Sequence, residues 1–399
     1  MALIYRRSPS ALLLLPPPPS FAFGPVEDAF SLPLAEVYAR LVRILDGSNR
    51  MASLDIALAI PDLLAPANRP RAKVFEQLQR YLTSIYTLVG AVCSAKNIEL
   101  DAPGGIDTRV IFVDHTSSET DSPEFGPVLA LKSLATSERS WDYVFYPDIP
   151  AGRVLAVTFA NHAEPSNKSY MYKKMHAIYS NTHWTLPPSL LVPDSQQAST
   201  PHHSVAVGGT FDHLHLGHKL LLTATALALE PPEETDLNPS RSLTIGVTGP
   251  ALLVNKKYAE FLESYNERYE STARFLIAIM NFRSIEENNA WIRQVSEPGS
   301  KGRHVEMTGQ PHLSFKFEEI SDPFGPTITD ENISALVVSR ETHAGGAAVN
   351  EERAKKGWKS LEIFEVDVLQ AGEAASPDDF ELKLSSTEIR RRRMNLAKV

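Results

Sequence analysis

Residues 208–218, which read G-G-T-F-D-H-L-H-L-G-H, constrain the fold of this chain more than any other stretch. They follow the apolar run of residues 205–207 and precede a second apolar run over residues 220–229. This order predicts a strand, a glycine turn and a helix that begins near Leu216. Glycines allow a phosphate to approach the backbone closely, and a helix start offers unpaired N–H groups and the positive end of the helix dipole. The stretch therefore predicts an anion site where the strand passes into the helix.

Two histidines in this stretch are candidates for chemistry. His215 and His218 are three residues apart, so both imidazoles can project from the same side of the first helical turn. There they could cap the helix, or donate hydrogen bonds to a phosphoryl group while it is transferred. With Asp212 and His213 they also supply ligand types that suit zinc. We prefer the phosphoryl interpretation, because a turn containing Gly217 does not hold three imidazoles convergent and no distant Cys or Glu pattern completes a zinc set.

The composition is that of an ordinary globular protein. The chain has 399 residues, 43% of them hydrophobic and 22% charged, which allows two or three domains. A formal net charge of −9 argues against broad nucleic-acid binding, although a local basic cluster can still recruit small anionic substrates. Cys93 is the single cysteine, so an intramolecular disulfide and a zinc ribbon are excluded and a reducing compartment fits.

The N-terminus imitates a short signal peptide. Arg6 and Arg7 precede the apolar residues 11–15, but the run ends at the four prolines of residues 16–19. We interpret it as a strand followed by an extended proline segment. No apolar run approaches the roughly 20 residues needed to span a bilayer. We expect a cytoplasmic protein without a membrane span, and an association with mitochondria stays open.

Composition along the chain predicts two domains. Residues 1–186 form an N-terminal α/β domain of unclear role, residues 187–203 are a linker rich in Pro, Ser, Gln and Thr, and residues 204–399 form the second domain. In the first domain we predict helices over residues 34–45 and 73–92, and strands over residues 108–113 and 154–159. In the second we predict strands over residues 204–207, 242–247, 335–339 and 361–368, and helices over residues 218–229, 267–282 and 347–356. Residues 281–300 are predicted to be a surface helix and loop, and residues 372–379 a loop.

Residues 208–218 resemble the G-T-F-D-x-x-H-x-G-H signature of the cytidylyltransferase-like nucleotidyltransferases. Within that superfamily the chain resembles the eukaryotic, fungal-type phosphopantetheine adenylyltransferases from about Val205 to Met394, roughly half of its length. Three further blocks carry this resemblance: Tyr265-Asn266-Glu267-Arg268, the segment of residues 322–346 that opens D-P-F-G-P, and Leu384-Ser385-Ser386-Thr387-Glu388-Ile389-Arg390. The resemblance implies that residues 204–399 are a Rossmann-like, parallel-sheet nucleotidyltransferase domain.

The resemblance also implies a reaction and its partners. It is adenylyl transfer from ATP, accompanied by Mg²⁺, to 4′-phosphopantetheine, which gives dephospho-CoA and pyrophosphate in coenzyme A biosynthesis. No G-x-x-x-x-G-K-[ST] loop occurs, so a kinase that would finish coenzyme A is expected on another protein. Two alternatives stay open: a related nucleotidyltransferase with another phosphorylated acceptor, such as a nicotinamide or choline phosphate, and a scaffold for coenzyme A enzymes.

By the same resemblance, the catalytic residues are Thr210, which would hold the attacking phosphate, His218, which would bind the α-phosphate, and Lys256, which would neutralise a substrate phosphate. The residues expected to bind ATP are Gly208, Gly209, Phe211, His215, Ser385, Ser386, Thr387 and Arg390. No protein-bound metal is expected.

Three further expectations concern neighbouring parts of the chain. Lys219 is expected to face solvent. Arg390 is expected in the site, whereas residues 391–393 are expected to be mostly exposed. Residues 200–399 are expected to be active without the N-terminal domain.

Overall fold

The computed structural model of the chain describes residues 7–100, 103–117, 125–137, 139–163, 165–181, 184–187, 189–193, 200–233, 236–282, 292–299, 302–310, 312–369 and 385–396. Within these residues the strands form two sheets. The predicted loop of residues 372–379 lies outside them.

The first sheet belongs to the N-terminal half and is parallel. Its strands are β1 (Ser10–Leu15), β2 (Ala52–Ala59), β3 (Ile106–Asp114), β4 (Val128–Ala130), β5 (Tyr143–Pro147) and β6 (Met175–Ile178), in the spatial order β4-β3-β2-β1-β5-β6. The helices of this half are α1 (Phe23–Leu45), α2 (Phe75–Ala95), α3 (Leu131–Thr136), α4 (Pro150–His162) and α5 (Pro165–Lys174).

The second sheet follows a Rossmann-like order. Its strands are β7 (Ser204–Gly209), β8 (Arg241–Thr248), β9 (Ile292–Gly299), β10 (Gly302–Gln310), β11 (Leu313–Ile320), β12 (Ala335–Ser339) and β13 (Glu362–Val366), in the order β13-β12-β7-β8-β11-β10-β9. Its helices are α6 (Leu216–Ala228), α7 (Tyr265–Met280), α8 (His343–Lys355) and α9 (Ser386–Leu396). The strands from β13 to β11 are parallel, and β10 and β9 add an antiparallel edge. The strand order reverses between β7 and β12, and the glycine turn follows β7 at this switch point, where such sheets bind ligands. The predicted α/β class with a Rossmann-like domain is confirmed.

One predicted strand is wrong, because residues 154–159 lie inside helix α4. Val154 and Val157 are exposed, whereas Leu155 and Phe159 are buried, which is a helical period. β-branched valines suggested a strand, but Pro150 at the first position of the helix suits a helix start.

The edge of the second sheet also differs from the sequence prediction. Residues 292–299 form β9, where we predicted a surface helix and loop, and strands β10 and β11 were not predicted at all. In β11 the side chains of Leu313, Phe315 and Phe317 are buried, and those of Ser314 and Lys316 between them are half-buried. This alternation is the period-two signal of a strand with one buried face.

The two halves share one hydrophobic core. Phe75 of α2 packs against Phe364 of β13, with ring centroids 4.6 Å apart. The amide of Gly126 donates to the carbonyl of Met280 at the end of α7, over 2.9 Å. Arg139 donates to the carbonyl of Asn281 over 2.9 Å, so the N-terminal half also closes the C-terminal end of α7. Among the described helices none is long and apolar enough to cross a bilayer.

A methyl group at Gly126 tests this shared core. A Cβ there would lie 2.1 Å from the carbonyl oxygen of Ile279, so Gly126→Ala forces the two halves apart. We expect it to lower the free energy of unfolding by about 1–3 kcal/mol in a urea titration.

Gly24→Ala is the matched control, because a Cβ at Gly24 meets no atom within 4 Å. It lies in α1 and should be neutral, or stabilising by up to about 1 kcal/mol. Equal effects of the two substitutions would show that the contact at Gly126 is not tight.

Candidate active site

The glycine turn contains two residues in the left-handed region of the backbone and packs on the buried ring of Phe211. Phe211 has φ +51° and His213 has φ +47°, both in the left-handed region. A Cβ on Gly209 would lie 2.9 Å from the ring of Phe211, so glycine is needed there. The Phe211 ring is fully buried and lies against His218, with centroids 5.5 Å apart. Its side chain therefore supports the histidine, which leaves the backbone as the part of Phe211 that could contact ATP.

Hydrogen bonds from backbone and side-chain groups connect the glycine turn to the start of α7. Asp212 accepts a hydrogen bond from the amide of Glu263 over 2.9 Å, and the Glu263 carboxylate accepts one from the amide of His213 over 2.8 Å. Arg268 donates to the carbonyls of Thr210, over 2.9 Å, and of Thr248 at the end of β8, over 3.0 Å. The ends of β7 and β8 and the start of α7 are thus held as one unit.

Helix α9 brings the serine motif to the same turn. The hydroxyl of Ser386 donates to the carbonyl of Asp212 over 2.8 Å. Arg390, which is 1% exposed, pairs with the Asp212 carboxylate and donates to the carbonyl of Lys257 over 3.0 Å and to the hydroxyl of Thr387 over 3.2 Å. The guanidinium is fully engaged with the chain, so it fixes the turn, and its contact with ATP stays a prediction.

The two histidines stand together at the start of α6. Their rings are stacked with centroids 3.8 Å apart and planes 20° apart. Both Nδ1 atoms are buried and have no hydrogen-bond partner among the described residues. His215 is the N-cap residue of α6, and no side chain caps the helix there. The first amides of the helix are therefore available to a ligand, and neither buried Nδ1 is engaged by the described chain.

Burial keeps both imidazoles neutral. It lowers the pKa of His218 to about 3, with Glu263 opposing the shift and the charges of His213 and Lys256 adding to it. Burial also lowers the pKa of His215 far below its usual value, and the neighbouring His218 lowers it further. At neutral pH each ring thus carries a single N–H and can donate a hydrogen bond to an anion.

The remaining predicted residues lie around the same turn. Gly208 is exposed and Thr210 is half-buried at the end of β7. Lys256 is exposed in the loop after β8, and its charge acts on His218. Ser385 is half-buried directly before α9, and its carbonyl accepts the amide of Ile389 over 3.0 Å.

Asp212, His213 and Glu263 form a compact group that resembles a metal site. One ligand atom from each lies within 4.8 Å of the others. His213 is held by the chain, because its Nε2 contacts the carbonyl of Phe261 at 2.9 Å and its Nδ1 lies 3.3 Å from the Glu263 carboxylate. Burial opposes protonation of His213, but the hydrogen bond to Glu263 and the charge of Asp212 outweigh it and raise its pKa. Because the chain already engages all three residues, we interpret the group as a hydrogen-bonded brace.

Lys219 was wrongly expected to face solvent. Its side chain is 4% exposed, and its ammonium lies 2.6 Å from the carboxylate of Asp107, at the start of β3 in the N-terminal half. Glu263 was not predicted from the sequence. The signal for it was the capping box of Ser264 and Glu267 at the start of α7, which places Glu263 directly before a helix start.

A cleft of about 510 Å³ opens beside the brace, between the ends of β8 and β11. Apolar lining comes from Pro250, Leu253, Val254, Ala259 and Leu262. Polar groups at its wall include Arg303, Glu319 and Tyr265, whose hydroxyl is buried and has no partner among the described residues. The cleft suits a ligand with an apolar arm and a few polar groups.

Residues 1–182 match a family model described as "Domain of unknown function (DUF8446)". The chain is 39% identical over 193 residues to an uncharacterized protein of Schizosaccharomyces pombe, and 34% identical over 189 residues to the phosphopantetheine adenylyltransferase of Saccharomyces cerevisiae. These matches cover 48% and 47% of this chain and 48% of each relative, so the chain spans about half the length of these curated relatives. It is also 30% identical over 189 residues to the phosphopantetheine adenylyltransferase of Pyrobaculum aerophilum, covering 47% of this chain and 90% of that protein. With its Rossmann-like fold, the chain belongs to the phosphopantetheine adenylyltransferase family.

Removing the guanidinium of Arg390 tests the brace. Arg390→Met removes the nearest countercharge of the fully buried Asp212 carboxylate, so the free energy of unfolding should fall by about 3–5 kcal/mol. The measurement is a urea titration followed by circular dichroism.

Arg391→Met is the matched control in the same helix, because its pair with Glu388 is exposed at the arginine end. That substitution should cost about 0–1 kcal/mol. Similar losses in the two variants would refute a special role for the buried pair.

Proposed function

We propose that this protein transfers the adenylyl group of ATP to 4′-phosphopantetheine, giving dephospho-CoA and pyrophosphate in coenzyme A biosynthesis. The stacked pair of His215 and His218 carries the proposal, because both neutral rings present an unpartnered Nδ1 at the uncapped start of α6. Membership in the phosphopantetheine adenylyltransferase family supports the choice of substrates. The similarity to the yeast enzyme supports a eukaryotic, fungal-type member.

The reaction needs positioning more than proton transfer. A phosphate oxygen of the acceptor attacks the α-phosphorus of ATP, a P–O bond forms, and the bond from the α-phosphorus to pyrophosphate breaks, so that pyrophosphate leaves with the electron pair. Since the attacking phosphate is already an anion, no strong general base is required. Fixed hydrogen-bond donors lower the barrier by holding two anions together and by stabilising the charge that develops on the transferred group.

Each predicted residue has a role in this scheme. His218 donates to the α-phosphate, and His215 donates to the β- or γ-phosphate. Thr210 holds the attacking phosphate, and the ammonium of Lys256 neutralises a substrate phosphate. Because both histidines are neutral, they add hydrogen bonds to the anionic site without adding a charge that must be buried.

Further hydrogen-bond donors come from the backbone around the turn. The backbone of Gly208 and Gly209 at the end of β7 and the residues that begin α9 line the path of the triphosphate. Mg²⁺ enters as part of the ATP substrate and is held mainly by its phosphates. The carboxylates of Asp212 and Glu263 at this turn are engaged with the chain and are not needed for it.

The cleft between β8 and β11 is suited to the acceptor arm. It shares Glu263 and Arg268 with the braced turn, so an arm lying in it would place its phosphate close to Thr210. The apolar wall around Leu253 and Leu262 fits the alkyl parts of pantetheine, and Arg303 and Glu319 can bond its amides.

Acceptor selection is the direct test of this function. The full chain is incubated with MgATP and separately with 4′-phosphopantetheine, nicotinamide mononucleotide or phosphocholine, and pyrophosphate release is measured. We expect pyrophosphate release with 4′-phosphopantetheine and with neither of the other two acceptors. Release with another acceptor would assign a related nucleotidyltransferase, and no release with any acceptor would favour the scaffold interpretation.

Loss of the His218 imidazole should slow this reaction strongly. We expect His218→Ala to lower turnover at least about 100-fold, equal to roughly 3 kcal/mol of barrier, because a donor to the α-phosphate is lost. His176→Ala, in β6 of the other sheet, is the control and should keep turnover near that of the wild type. Turnover near normal in His218→Ala would contradict the assigned role.

A further inference from the structure

The N-terminal half contacts the first turn of α6 through an ion pair between Lys219 and Asp107. Lys219 directly follows His218, and its amide donates to the carbonyl of His215 over 3.0 Å, which closes that turn. Its side chain runs inward and is 4% exposed, and its ammonium lies 2.6 Å from the carboxylate of Asp107 in β3. The Asp107 carboxylate is 37% exposed, so the pair sits at the margin of the interface between the halves.

The charges around this pair favour the ionised form of both partners. Burial opposes ionisation of Asp107, but the charges of Lys219 and Arg109 outweigh it and lower the pKa of the carboxyl. The ammonium also lies 5.9 Å from the ring centroid of Phe275 in α7, a side chain that carries no countercharge. Without Asp107 the Lys219 charge would be buried and uncompensated, and the side chain could regain water only by moving the turn that carries His218.

The other end of α6 is held by the same half. Arg71 donates to the carbonyl of Leu229 over 3.1 Å, which satisfies a carbonyl just beyond the last turn. Glu230 accepts from the amide of Arg71 over 2.6 Å and from the side chain of Arg69 over 3.0 Å. Both ends of the helix are thus fixed from the N-terminal half, which argues against the expectation that residues 200–399 suffice.

We propose that the N-terminal half is a working part of the transferase, in which Asp107 is a positioning residue that holds Lys219 inward and thereby sets His215 and His218 in place for the phosphates. This inference rests on the proposed function for its kinetic consequence. Its structural consequence, a fixed first turn of α6, is independent of any substrate.

Asp107→Asn in the full chain is the central test. The isosteric amide keeps the shape but removes the countercharge of Lys219. We expect kcat for pyrophosphate release to fall about 10-fold while KM for ATP changes less than about 3-fold. The reason is that displaced imidazoles stabilise the transition state less well, with a smaller effect on the binding of ATP. Hydrogen exchange of the peptide covering residues 214–222 should accelerate, whereas the peptide covering α1 exchanges as in the wild type.

Removing the charges of both Asp107 and Lys219 is the rescue experiment. Asp107→Asn combined with Lys219→Met has no buried charge left to satisfy, so kcat and the exchange of residues 214–222 should return at least halfway to wild-type values. Asp148→Asn is the matched control, since it breaks an exposed pair with Arg153 in the same half and should change neither quantity.

The outcomes separate this inference from the proposed function. If the wild type releases no pyrophosphate, the proposed function fails, and the exchange of residues 214–222 alone decides whether Asp107 positions the turn. Wild-type exchange in Asp107→Asn, acceleration spread evenly over the chain, or a double variant as impaired as the single one would each overturn the inference.

Discussion

The buried carboxylate of Asp212 is the interaction on which the arrangement of the site depends. It accepts from the amide of Glu263, 51 residues further along the chain, and from the guanidinium of Arg390, 178 residues further. Its own carbonyl accepts the hydroxyl of Ser386. Two segments that are distant in sequence, the start of α7 and helix α9, are thereby brought to the end of β7. A charge of this kind is costly to bury alone, so the same ion pair that fixes the segments also penalises arrangements in which they separate.

The charged groups of the brace are bonded within the chain, whereas other groups at the same turn are left free for a ligand. The Asp212 carboxylate is paired with Arg390, and Arg268 donates to backbone carbonyls. The stacked imidazoles of His215 and His218 stay neutral and unpartnered at Nδ1. An anionic substrate therefore meets hydrogen-bond donors and the exposed ammonium of Lys256, and no free carboxylate of the brace repels it. The fixed turn also means that little reorganisation is needed when the phosphates bind.

Sequence reasoning succeeded where the signal is local and failed where it is not. The β7 strand, the glycine turn and α6 follow from apolar periodicity and from glycine positions within a single short stretch. The partners of Asp212 could not be read in this way, because no periodicity links it to Glu263 or Arg390. Lys219 was misjudged for the same reason, since the carboxylate that allows its burial lies 112 residues earlier in the other half. The valines of α4 show the remaining weakness: β-branched residues favoured a strand, although the buried positions follow a helical period.

In both sheets the strand order reverses at one point, but the turns at these two points differ. In the first sheet the order reverses between β1 and β5, as it does between β7 and β12 in the second. The turn after β1, however, begins with the prolines of residues 16–19, which have no N–H to offer a phosphate. Trp184 covers this turn, donating to the carbonyl of Pro17 over 2.9 Å and packing edge-on against Phe30. The turn after β7 thus offers an anion two imidazoles and backbone amides, whereas four prolines open its counterpart. What the first sheet contributes through its contacts with the second is support of α6 and α7.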